Sequence, residues 1–130
     1  MNYSRIVFIV VIIAASGCIR FRQAPDIPDA DSLIAYLNEQ GIGTDHVGFV
    51  TREQFTEAGQ AYRLIGFERI HVFVYESTGA AEADVLRLTS RQLRVNNPSY
   101  FHRDNMIVIY WGRDTDVKIA LANVLGPRLV

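Results

Sequence analysis

A single cysteine, Cys18, stands in the whole 130-residue chain, so no internal disulfide can form. Basic density is also missing. Thirteen Lys and Arg against fourteen Asp and Glu leave a net charge of −1, and no tract is cationic enough to suggest a nucleic-acid partner or a polybasic membrane patch. The three histidines, His46, His71 and His102, have neither metal-ligand spacing nor a neighbouring cysteine, so no metal and no cofactor are expected. There is no G-x-S-x-G elbow. Ser77, Ser90 and Ser99 lie outside any nucleophile motif, although a triad assembled from distant residues stays open. Repeats and low-complexity segments are absent. Glu82 and Asp84 read as the solvated face of a helix.

Long apolar runs are equally scarce, and the one present is at the start. Residues 6–15 (IVFIVVIIAA) follow Arg5 and lead into Ala15-Ser16-Gly17-Cys18. As a helix the run would reach about 15 Å, half of a ~30 Å hydrocarbon core. That is short for a permanent span and suits the apolar region of an export signal. Small residues directly before a cysteine resemble the lipobox of bacterial lipoproteins. The resemblance implies diacylglyceride on Cys18, cleavage before it, and acylation of the new amino terminus. A leftover thiol in an exported protein is thereby explained. The alternative is an uncleaved anchor with Cys18 a chance residue. Two or three acyl chains would make membrane attachment effectively permanent. Ile19, rather than aspartate, follows the cysteine, which resembles lipoproteins of the outer membrane in diderm bacteria.

The chain therefore divides into a signal, 1–17, a lipidated cysteine and tether, 18–30, and one domain, 31–130. The tether (CIRFRQAPDIPDA) carries Pro25 and Pro28 and reads as a stiff, extended connection. In the domain, Asp31-Ser32 begins a helix that Gly41 stops. Strands follow at 46–51, with Val47 and Phe49 on one face, at 61–65, and at 68–76. The last two are joined by the tight turn Gly66-Phe67. A second helix covers 80–93. Residues 98–102 and 106–111 form another strand pair, and Asp114 or Thr115 caps a last helix stopped by Gly126-Pro127. Helix, three strands, helix, two strands, helix points to an α+β two-layer sandwich. About five mainly antiparallel strands would carry helices on one face.

Five motifs run through the second half of the chain: Val72-Phe73-Val74-Tyr75-Glu76, the Ala/Glu-rich start of the second helix at Ala80, Pro98-Ser99-Tyr100-Phe101, Ile107-Val108-Ile109-Tyr110, and Val124-Leu125-Gly126-Pro127. Together they resemble a group of small, uncharacterised bacterial lipoproteins, from which this chain departs in a shorter loop before Pro98. The resemblance implies fold and anchoring, and brings no activity with it.

Strand alternation supplies the candidate working surface. Over 68–76 one face holds Ile70, Val72 and Val74, which should meet the helices, and the other holds His71, Phe73 and Tyr75. The second set, joined by Tyr110, would face outward or line a shallow groove, unless a helix or the 91–98 loop covers it. Amphipathic aromatics of this kind suit binding surfaces. The expected function is a membrane-anchored, extracytoplasmic, non-enzymatic module that binds an envelope protein or other envelope component. The alternative is a small extracytoplasmic enzyme or enzyme inhibitor with a site at the strand ends.

Overall fold

Asp29 opens the first helix, accepting hydrogen bonds from the Ser32 backbone N–H at 2.8 Å and the Ser32 hydroxyl at 2.7 Å. That cap satisfies one of the free N–H groups of the first turn. It lies two residues before the Asp31 start read from the sequence. The helix, α1 (Ala30–Glu39), leads through Gly41, at φ +82°, into three strands, β1 (Thr44–Val50), β2 (Gly59–Leu64) and β3 (Arg69–Val74). Next come α2 (Thr78–Ser90), β4 (Ser99–Arg103), β5 (Met106–Trp111) and α3 (Thr115–Leu125). Asp114 caps α3 through the Asp116 N–H at 2.9 Å, and Gly126 ends it at φ +92°. This computed structural model describes residues 25–90 and 98–129. Cys18, the signal and most of the tether lie outside the described residues, as do the end expected for the second helix and nearly all of the 91–98 loop.

The five strands form one open antiparallel sheet in the order β1-β2-β3-β5-β4. The α+β class and the antiparallel sheet are as the pattern predicts. The layering differs in one respect. α1 and α3 share a face, where Leu33, Leu37, Val117, Leu121 and Val124 pack on Tyr62, Ile70, Val72, Phe101 and Val108. α2 lies on the other face, with Ala81 and Leu88 against Phe73, Tyr100, Ile107 and Ile109. The helices are therefore not confined to one face. β5 explains why: MIVIYW is apolar at every position, so both of its sides need cover, and Met106 to Tyr110 are all buried.

The folded body also begins earlier than residue 31. Ile27 packs against the α1/α3 core. Arg103 Nη1 donates to the carbonyls of Pro25 at 3.0 Å and Val124 at 2.7 Å, joining tether, β4 and α3. From Pro25 onward the proposed tether is part of the domain.

Candidate functional site

The residues put forward from strand alternation do not make an open surface. Phe73 and Tyr75 are buried under α2 with Phe55, and His71 is buried on the same face of the sheet. Tyr110 is on the opposite face, because it pairs with Ile70 while His71 pairs with Ile109. The physical reason is again the two-sided sheet. Both faces of β3 are core faces, so alternation in polarity separates two cores instead of core from solvent.

Beneath α2 the polar tips of this layer are consumed in a clasp. Asp84 is fully buried. It accepts from the Tyr75 hydroxyl at 2.5 Å, the Thr56 N–H at 2.9 Å and the Thr56 hydroxyl at 3.0 Å, and pairs with Arg87. Asp84 thus lies on the packed side of α2, not on a solvated face. Burial pushes the Tyr75 hydroxyl up to about 12, so it stays a donor at neutral pH. On the other face, Glu68 accepts from the Tyr110 hydroxyl and from the Arg113 N–H at 3.2 Å, while the Asp114 N–H donates to the Tyr110 oxygen at 3.2 Å. That knot ties the β2–β3 turn to the start of α3. Both arrangements hold elements together. Tyr75 and His71 lie four residues apart on one extended segment, about 13 Å, so the buried carboxylate and the buried histidine do not converge.

Apart from Leu86 on α2 and Ile119 on α3, the most exposed large apolar side chains lie at β1 and the turn after β2. Val47 (64% exposed) and Phe49 (81%) project from β1, and Ile65 (82%) and Phe67 (95%) from the β2–β3 turn. A one-residue bulge between His46 and Gly48 re-aims β1. As a result Val47 reaches the α2 face and Phe49 the α1 face, although sequence alternation places them together. The turn is a 3-10 element, Ile65–Phe67, in which Gly66 (φ +79°) and Phe67 (φ +67°) are both left-handed. A phenylalanine in that region is uncommon, and its ring stands out in solvent.

Two hollows flank β1. On the α2 face Val47, Ala61, Arg63, Phe67, Arg69 and His71 enclose about 330 Å³. Behind it Trp111 stacks edge-on to His71 at 4.5 Å, with the guanidinium groups of Arg52 and Arg69 at 4.8 and 5.4 Å from the Trp111 ring. Burial, then the nearby Arg52 and Arg69, lower His71 to about 4 and keep it neutral. Its Nδ1 is buried without a hydrogen-bond partner among the described residues. On the α1 face a groove of about 730 Å³ runs between α1 and the β1–β3 strands, with Asp29, Asp31, Ile34, His46, Phe49, Gln60, Tyr62 and Val72 among its walls. His46 Nε2 meets Gln60 Oε1 at 2.7 Å there. Burial, and then Asp31 and Asp29, raise the Tyr62 hydroxyl above its ordinary value. These volumes are in the range of ligand pockets. The legible trace of this side in the sequence is the pair of large apolar residues around Gly66, a poor choice for a turn with no other task.

Among the described residues no group of three His, Asp or Glu side chains is placed to hold a metal ion, and no helix is long and apolar enough to cross a membrane. Comparison with known proteins gave no match to a family model, to a curated protein or to a solved structure.

Proposed function

We propose that this chain is a lipid-anchored, extracytoplasmic binding module, related to the small bacterial lipoproteins it resembles and held in the outer membrane where the organism has one. Its activity is non-enzymatic: the folded body presents a surface to a protein or another component of the cell envelope. The observation that carries the binding half is the exposed apolar set Val47, Phe49, Ile65 and Phe67 on one strand and the adjoining turn, with Val47 and Phe67 beside Arg63 and Arg69 and Phe49 on the opposite face. Exposed apolar side chains gathered with arginine are the usual makeup of interface centres. The address half rests on the apolar run 6–15 and the Ala15-Ser16-Gly17-Cys18 sequence.

Two measurements test the two halves. Cys18→Ser should abolish lipid attachment and signal cleavage, with a heavier chain by mass; an unchanged mature mass would end the lipoprotein reading. For binding, a photo-crosslinker replacing Ile65 in the intact protein in its native membrane should yield a discrete adduct. Phe67→Asp should remove that adduct, and Leu86→Asp, at an exposed site on α2, should not. Equal labelling in all three would count against a binding surface here.

A further inference from the structure

The groove on the α1 face, about 730 Å³, has walls of mixed chemistry. Its floor is the sheet, with Tyr62 on β2 and Val72 and Val74 on β3, and Ile34 faces it from α1. Beside that floor stand polar groups held by one bond each and left with others to make. Asn38 Oδ1 accepts from the Thr44 hydroxyl at 3.2 Å, which leaves the Asn38 amide N–H groups. His46 Nε2 meets Gln60 Oε1 at 2.7 Å, which leaves the Gln60 amide N–H groups. Tyr62 is only 6% exposed. Its hydroxyl, raised by burial and then by Asp31 and Asp29, is a donor at neutral pH and makes no hydrogen bond among the described residues. Phe49, 81% exposed, stands at the outer wall with its ring open to solvent.

We propose that this groove binds a neutral oligosaccharide whose rings carry acetamido groups, with Phe49 as the stacking platform and Asp31, Asn38, Gln60 and Tyr62 as the polar contacts. The proposal deepens the binding-module reading, giving the envelope component its chemistry, and rests on it. Sugar hydroxyls offer donors and acceptors at close spacing, which amides, a carboxylate and a phenol complement. The C–H face of a pyranose ring is weakly positive and settles on the negative face of an aromatic ring. The methyl of an acetamido group suits Ile34, Val72 and Val74, and its N–H suits a carboxylate. Other occupants fit less well. An acyl chain would cover the Tyr62 hydroxyl and the two amides without pairing them. A peptide would lie on a sheet face whose backbone groups are already paired among β1, β2 and β3, so it would find no ladder to extend. Phosphorylated or carboxylated ligands would meet Asp29 and Asp31, and no Lys or Arg is among the described residues that line the groove.

The probe is tri-N-acetylchitotriose, and cellotriose is the control with the same number of rings and no acetamido groups. Each is titrated into the full ¹⁵N-labelled chain bearing Cys18→Ser, held in a polyoxyethylene detergent that itself carries no sugar. The acetylated sugar should shift amides within 29–38, 44–49 and 58–62, and bind about tenfold more tightly than cellotriose. Phe49→Ala and Asp31→Ala, both at exposed positions, should each weaken it about tenfold. Leu86→Asp, on the opposite face, should leave its affinity unchanged. Amide spectra that match the natural protein outside the groove report that each variant is folded. Groove amides that do not move at millimolar sugar, or full affinity in Phe49→Ala, would overturn the site. Equal affinity for cellotriose would overturn the acetamido assignment. Larger groove shifts from phosphatidylglycerol vesicles or from trialanine than from the sugar would overturn the ligand class. If the adduct at residue 65 still depends on Phe67 while the groove stays silent, the binding module stands and only the oligosaccharide falls.

Discussion

Asp84 shows how a single residue can hold a layer in place. A carboxylate without solvent contact is tolerable only when its oxygens are engaged, and here Tyr75, Thr56 and Arg87 engage them. Tyr75→Phe removes one donor and leaves a buried charge short of a partner, which should cost about 1–3 kcal/mol. Tyr75→Ala adds a cavity and should be as damaging as Ile109→Ala, roughly 2–5 kcal/mol each. Urea midpoints of the purified variants compare them, and a Tyr75→Ala loss well below that of Ile109→Ala would show the clasp to be of little consequence. At His71 the prediction concerns pH. The unfolded imidazole titrates near 6.5 and the folded one near 4. Between those values the unfolded chain holds a proton that the native state does not. His71 therefore contributes fully above about pH 6.5, and its contribution falls as pH drops toward 4, by up to roughly 3 kcal/mol. Stability measured at pH 7.5 and 4.5 should differ more for the natural protein than for His71→Gln, and equal differences would refute the assignment.

At the scale of elements, the strands have different tolerances. Gly59 sits where β2 crosses Phe73, and a Cβ there would come within 2.8 Å of the Phe73 ring and 2.9 Å of the Val72 carbonyl oxygen. Gly59→Ala should lower stability by about 1–3 kcal/mol through overpacking. The β2–β3 turn should behave in the opposite way. Phe67→Asn removes no buried area and suits the left-handed backbone better. Its melting temperature should match or exceed that of the natural protein, even though the residue-65 adduct is lost. Decreased stability together with a retained adduct would make Phe67 a structural residue instead.

For the molecule as a whole, the question is where the body ends and the tether begins. Ile27 is half-buried on the α1/α3 core and Arg103 holds the Pro25 carbonyl. A chain starting at Pro25 should melt like the longer soluble form. One starting at Asp31 loses the burial of Ile27, worth about 1 kcal/mol, together with the Asp29 cap. Calorimetry on the two truncations distinguishes them, and coincident melting temperatures would return residues 25–30 to the tether.

Element order, the antiparallel pairing and the apolar centre at 106–111 were legible in the chain itself, since period, capping residues and turn glycines act over a few neighbours. The early start of α1 was also local: Asp29 and Asp31 are both good caps, and Asp29 is the one that holds the Ser32 N–H. Tertiary structure alone decided which side of each strand meets solvent. α2 crosses to the face opposite α1 and α3, which buries Phe73 and Tyr75 and draws Asp84 inward, while strand register puts Tyr110 in the other core. The bulge at His46–Gly48 likewise separates Val47 from Phe49, which sequence parity joins. A strand's pattern records that its two faces differ. What each face meets is set by elements tens of residues away, through packing that no local window contains.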